Sequence, residues 1–208
     1  MKRYIELQKF LAHNSISSFT YDYQGTGESE GNIEKTTISN FINDTYSAFS
    51  KFKKELEPKR IYILGYSLGG YIVPHMLNEF RNTSGIILIS PPAYAQGTEN
   101  LYLNSQNTEL IRSKLQNKNS DIFKYLEAYN LAQRVLIIFG EKDLEIPPEI
   151  KAILKTIKNK SFEYISIKKG VHSLLRNRTQ LEKTAKNKLL QTIYRFIAGN
   201  IYATKKGK

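Results

Sequence analysis

A short apolar run, Arg60–Leu64 (RIYIL), passes directly into Gly65-Tyr66-Ser67-Leu68-Gly69-Gly70 and then into residues with helical spacing, YIVPHMLNEF. A strand can turn into a helix this abruptly only where small residues let the two elements approach. Gly65 and Gly69, two before and two after Ser67, meet that need and allow the serine to take strained backbone angles. Such a turn presents the Ser67 hydroxyl alone at its tip. It also aims the backbone N–H of Leu68, at the start of the helix, at the position where an oxyanion develops. The bare pattern Gly-x-Ser-x-Gly occurs in many loops. Its place between an apolar strand and a helix is what points to a nucleophile, with Gly65, Tyr66 and Gly69 forming the elbow.

The rest of the chain alternates in the same way. Tyr4, Leu7, Phe10 and Leu11 share one face of a helix that ends near Asn14. Ile16–Tyr23 (ISSFTYDY) reads as a strand, followed by a turn-rich stretch. Thr36, Thr37 or Ser39 can cap a second helix whose face is Ile38, Phe41, Thr45, Phe49 and Phe52, closed by Pro58. Helical spacing runs from the elbow to Phe80, and Gly85–Ser90, Val135–Phe139 and Phe162–Ile167 read as further strands. Leu181, Ala185, Leu189, Ile193 and Phe196 mark a last amphipathic helix. Short apolar strands alternating with helices predict an α/β fold, a mostly parallel sheet flanked by helices. All 208 residues read as one domain. Within it the polar interval 93–133 is either a small helical cap over a pocket or an ordinary connecting helix pair.

Composition narrows the function. With 31 Lys and Arg against 19 Asp and Glu the formal charge is +12, but the lysines are spread through the chain. The one dense run, Thr204–Lys208, reads as a solvated tail, and no zinc-finger, RNP or helix-turn-helix pattern accompanies the charge. No nucleic-acid partner is expected. Cysteine is absent, which removes disulfides, thiolate metal sites and cysteine nucleophiles together. There is no membrane-spanning run, and the start lacks the unbroken apolar stretch of a signal peptide, so a cytoplasmic protein is expected.

Serine is a weak nucleophile without a base, and the base needs an orienting carboxylate. Of three histidines, His13 ends the first helix and His75 lies on the helix after Ser67, positions typical of helix packing. His172, in KKGVHSLL, follows the last predicted strand, where sheet C-termini gather active-site loops. Asp143 lies in the turn after Val135–Phe139. A single Asp in a turn is often only a cap and a single loop His only solvated. The three residues each just after a strand, in this order, make a candidate triad.

The sequence resembles the α/β-hydrolase superfamily, in particular serine aminopeptidase-like hydrolases and small acyl esterases. The likeness rests on GYSLGG, on Gly140-Glu141-Lys142-Asp143 with Pro147 beyond it, on Gly170-Val171-His172, and on Asp22-Tyr23-Gln24-Gly25-Thr26-Gly27-Glu28-Ser29. The last is similar to a D-x-R-G-x-G-x-S turn, with Gln24 in place of Arg. The order Ser67, Asp143, His172 is the one such hydrolases use. The resemblance implies Ser67 as nucleophile, His172 as general base and acid, Asp143 as orienting carboxylate and the Asp22 turn as structural. It implies a small-molecule acyl substrate and neither cofactor nor metal; within the 93–133 interval, Tyr94, Leu101, Tyr102, Leu103, Ile111 and Leu115 suggest a partly apolar acyl pocket.

It also implies three strands ahead of the first helix, and a loop giving a second oxyanion donor, that nothing here matches. The expectation is an N-terminally truncated hydrolase fold, with Ile16–Tyr23 and Arg60–Leu64 facing each other across one missing strand. Either the two close up or something else fills the slot. The alternative to an active serine hydrolase is therefore a catalytically silent or split-gene fragment that needs upstream strands or a complementing N-terminal chain.

Overall fold

The computed structural model describes residues 4–80, 82–113, 115–128, 134–157, 161–176 and 178–203. Thr204–Lys208 and the end of the 93–133 interval at Gln133 lie outside these residues. Four strands, β1 (Tyr62–Tyr66), β2 (Gly85–Ile89), β3 (Arg134–Gly140) and β4 (Phe162–Ile167), form one parallel sheet in sequential order. Each crossover is helical: α3 (Leu68–His75) joins β1 to β2, α4 (Ser105–Ser113) and α5 (Asp121–Ala128) join β2 to β3, and α6 (Pro148–Thr156) joins β3 to β4.

The sheet is covered on both faces, which is why its central strands are almost wholly apolar. On one face Ile86, Leu88, Val135 and Ile137 pack with α2 (Ile38–Leu56), α3, α5 and α6. On the other, Ile87, Ile89, Leu136 and Ile138 pack with α1 (Ile5–His13) and α7 (Gln180–Ala203). The alternation along β2 and β3 is the period-two geometry of a strand sorting its side chains between two cores.

Local signals explain the helix ends. Thr37 is the residue that caps α2, accepting from the Asn40 N–H while the Asn40 side chain accepts from the Thr37 N–H. Glu57, at φ 40°, ends it before Pro58. The helix after the elbow is shorter than its apolar spacing suggests, and turns replace it from Met76 to Phe80. Pro74 lies inside α3 and has no N–H to continue the ladder.

The expected strand over residues 16–23 is not formed. The stretch is irregular and has no ladder among the described residues, because no described strand lies beside it to share backbone hydrogen bonds. Side chains fix it instead. Tyr23 stacks on Phe41 at 4.2 Å, Phe19 lies 5.5 Å from Phe52, and the Tyr21 hydroxyl donates to Thr45 Oγ1 at 2.6 Å. The segment and β1 do not close up, and no described strand fills the space between them. A cleft of about 440 Å³ separates them, lined by Leu7, Leu11, Ile16, Phe19, Leu64 and Phe52 among others, and it reaches Ser67 and Leu68.

Candidate active site

The C-terminal ends of β1, β3 and β4 bring together three side chains that lie 76 and 29 residues apart in sequence. Ser67 follows β1 at φ 52° and ψ −120°, its N–H donating to Ile89 O at 2.8 Å across the sheet. The turn is as tight as the sequence requires: a Cβ on Gly65 would come within 2.3 Å of the Gly69 carbonyl oxygen. Leu68 opens α3, so its N–H has no acceptor within the helix and points outward beside Ser67.

Ser67 Oγ is 2.9 Å from His172 Nε2. His172 Nδ1 lies 3.1 Å from each carboxylate oxygen of Asp143, a geometry that suits an Nδ1–H shared between them and leaves Nε2 to accept from the serine. The loops that carry the acid and the base are locked together by their backbones. Lys142 N–H donates to Gly170 O at 2.7 Å, and a Cβ on Gly140 would fall 2.5 Å from that same oxygen. The Tyr66 hydroxyl donates to the His172 carbonyl at 2.8 Å, tying the elbow to the histidine loop.

Asp143 is 2% exposed. Burial alone would raise its carboxyl, but hydrogen bonds from His172 and Ser90, together with the charges of His172 and Lys151, outweigh that effect. The group is held below the usual carboxylate range. Its oxygens are well supplied with donors. Oδ1 accepts from the N–H groups of Glu145 and Ile146, Oδ2 accepts from the Ser90 hydroxyl at 2.7 Å, and the Lys151 ammonium donates to the backbone carbonyl.

Several of these contacts leave little trace in the sequence. Ser90 is signalled only as the last residue of an apolar run before Pro91-Pro92. Glu145, whose Oε2 lies 3.7 Å from His172 Nε2, and Arg112, which pairs with Glu145 at 3.0 Å, have no local signal. The other two histidines are not part of the cluster. His13 Nδ1 meets Lys9 O and His75 Nδ1 meets Tyr71 O, each one turn back on its own helix. The Asp22 turn is built by its own bonds, Ser29 Oγ donating to Asp22 O at 2.7 Å, and Gln24 Nε2 reaches Thr36 Oγ1 at 3.3 Å.

The described residues of the 93–133 interval pack back onto the body. Ile122, Phe123 and Leu126 of α5 are buried in the core beside α3, and Gln116 Nε2 donates to Glu145 O at 2.6 Å. Tyr94 and Ile111 are buried there too, whereas Tyr102 is exposed. None of the six residues expected to line an acyl pocket borders the 440 Å³ cleft, which lies along β1 instead. Among the described residues no group of three or more His, Cys, Asp or Glu could hold a metal ion. No described helix is long and apolar enough to cross a membrane.

The chain matches the family model described as serine aminopeptidase, S33, over residues 1–199. It is 35% identical over 94 residues to the monoglyceride lipase of Mus musculus, covering 43% of this chain and 30% of that one. Esterase EstD of Thermotoga maritima is 27% identical over 124 residues, 56% of this chain and 25% of that one. The matched stretches thus span less than a third of these relatives' length. Among solved structures, an esterase from Pyrococcus furiosus superposes with a TM-score of 0.69 at 19% identity, covering 95% of this chain and 74% of that one. Est1E from Butyrivibrio proteoclasticus with bound ferulic acid gives 0.68 at 18%, covering 95% and 84%. At those identities the two structures speak for the fold, that of the α/β-hydrolases.

Proposed function

The chain belongs to the serine aminopeptidase S33 family of α/β-hydrolases, and from that premise we propose that it cleaves an ester, thioester or small amide bond through an acyl-enzyme on Ser67. The observation that carries the reading is the continuous run from Ser67 Oγ through His172 to Asp143, at 2.9 and 3.1 Å. Ser67 Oγ attacks the substrate carbonyl carbon as His172 Nε2 takes its proton. The carbonyl oxygen, now negative, is stabilised by the Leu68 N–H. His172 then gives the proton to the leaving group, and the acyl group stays on Ser67. Water attacks that ester with His172 again as base, releasing the acid and restoring the hydroxyl. Asp143 keeps the imidazole in the tautomer and orientation these steps need. The chemistry runs on side chains and one backbone N–H, with no cofactor.

Relatives named as a monoglyceride lipase and an esterase support a carboxylic ester as the first substrate class to screen. The 93–133 interval, tied to Glu145 beside His172, is proposed to shape the leaving-group side of the site. A cytoplasmic setting, and a small-molecule rather than nucleic-acid partner, belong to the same proposal. The test is intact-mass labelling with a fluorophosphonate beside Ser67→Ala. One adduct per chain, absent from the variant, is the expected result; no adduct on folded protein would sink the reading.

The cleft favours a second reading, in which the active form contains a further strand, supplied by an upstream segment or a complementing N-terminal chain. Ser84 N–H donates to Ile61 O and Ser67 N–H to Ile89 O, so odd-numbered residues of β1 bond to β2. In a parallel ladder the intervening Leu64 then directs its N–H and C=O into the cleft. A strand seated there would also bring a second oxyanion donor near Ser67, a group worth about 10²–10³ in turnover. Co-expression with polypeptide encoded upstream of Met1 is predicted to raise the labelling rate by that order. An unchanged rate in a complex that does form would reject this second reading.

A further inference from the structure

Ser90 is the residue after β2, and it is enclosed with no exposed surface. Its backbone lies at φ 47°, in the left-handed region where a side chain is disfavoured and glycine is not. Two contacts hold it there: its N–H donates to Ile138 O of β3 at 2.7 Å, and the next residue, Pro91, presses on α3, where a Cβ on Gly70 would come within 2.9 Å of Pro91 Cα. The backbone would be more comfortable with glycine. What serine adds is a hydroxyl, and that hydroxyl donates to Asp143 Oδ2 at 2.7 Å. An observed backbone outlier whose side chain meets a functional group is the pattern from which a role can be inferred.

We propose that Ser90 is a positioning residue for the acid–base pair, fixing the Asp143 carboxylate so that both its oxygens face His172 Nδ1. The inference rests on the proposed Ser67 chemistry but makes a separate claim about how the acid is held. Without the Ser90 hydroxyl, Oδ2 keeps only its share of the His172 Nδ1–H, whereas Oδ1 retains the Glu145 and Ile146 N–H groups. The carboxylate can then rotate about its Cβ–Cγ bond, and the imidazole loses its fixed direction. The other charged or titratable groups facing Asp143 are His172 itself, Lys151 of α6 and Tyr164 of β4. None of these stands in for a neutral donor at Oδ2.

Ser90→Gly separates a positioning role from a packing one, because it relieves the left-handed strain while removing the hydroxyl. Ser90→Ala, which keeps the Cβ and the strain, is the companion variant. Both are expected to lower the fluorophosphonate labelling rate of Ser67 about ten- to a hundredfold, the span for one hydrogen bond to a charged group. Ser90→Gly should nevertheless melt higher than Ser90→Ala, which loses the same hydroxyl but keeps the strain. A second readout needs no turnover: NMR of the His172 Nδ1 proton and of the Asp143 carboxyl carbon across acid pH. The expected change is loss or marked upfield movement of the Nδ1 proton signal and a higher Asp143 titration midpoint in both variants. Unchanged NMR signals would overturn the proposal, whatever the stability. If the parent chain takes no label while the NMR changes appear, the hydrolase reading fails and the Ser90 assignment stands.

Discussion

Ser67 and Ser90 both adopt positive φ, and both do so beside the same three-residue cluster. Such conformations cost about 1–2 kcal/mol for a residue with a Cβ. Ser67→Gly is therefore predicted to stabilise the fold by about 1 kcal/mol in denaturant unfolding while abolishing labelling. A loss of stability would show that the Ser67 side chain holds structure as well as chemistry. Asp143 supplies the pH dependence. Its folded-state pKa is depressed, so its contribution is complete above the unfolded value of about 3.9 and is lost as pH falls through the lower folded value. The stability gap between the parent and Asp143→Asn should thus be widest near neutrality and shrink below about pH 4. A gap that widens in acid would contradict the depressed pKa. Ser67, Asp143 and His172 could be singled out as candidates because each follows an apolar run at a strand end. Ser90, Glu145 and Lys151 could not, since a Ser before two prolines, a Glu in a loop and a Lys on a helix look alike wherever they occur.

Among the elements, the elbow and α2 are where sequence and geometry agree most closely. Gly65 is fixed by the approach of α3, and Gly65→Ala would drive a Cβ into the Gly69 carbonyl, backbone against backbone. The expected outcome is a loss of more than about 3 kcal/mol, or no soluble protein, checked by expression and thermal melting. Thr37→Ala, by contrast, removes one capping bond of α2 and should cost about 1 kcal/mol in the same melt, with the fold intact. Residues 16–23 show the limit of reading elements one at a time. Their alternating aromatic and polar residues fit a strand, but a strand is a relation between two backbones, and no partner is present among the described residues. Pro74 sets a similar limit on α3, whose apolar spacing continues past the point where its ladder stops.

Across the whole molecule, tyrosine burial provides a global probe. Burial pushes the hydroxyls of Tyr71 and Tyr164 well above their usual range and that of Tyr94 up to about 12. A raised folded pKa contributes stability that is complete below the unfolded value of about 10 and is lost as pH rises through the folded one. Absorbance of tyrosinate should therefore go on rising well above pH 10, its last part coinciding with loss of helical circular dichroism as the buried rings ionise. A single phase at pH 10 with the fold intact would show that these rings are open to water.

The chain's own pattern settled the alternation of helices with doubly buried strands, the elbow and the chain order of its candidate acid and base. These are local matters, decided by side-chain period, small residues and turn chemistry within a few positions. The approach of Asp143 to His172, the Ser90 hydroxyl beneath it and the cleft along β1 follow from packing between segments tens of residues apart. No local preference encodes those distances; they arise when the sheet stacks its strand ends side by side, and when the outer edge of β1 is left facing residues 16–23 with no described strand between.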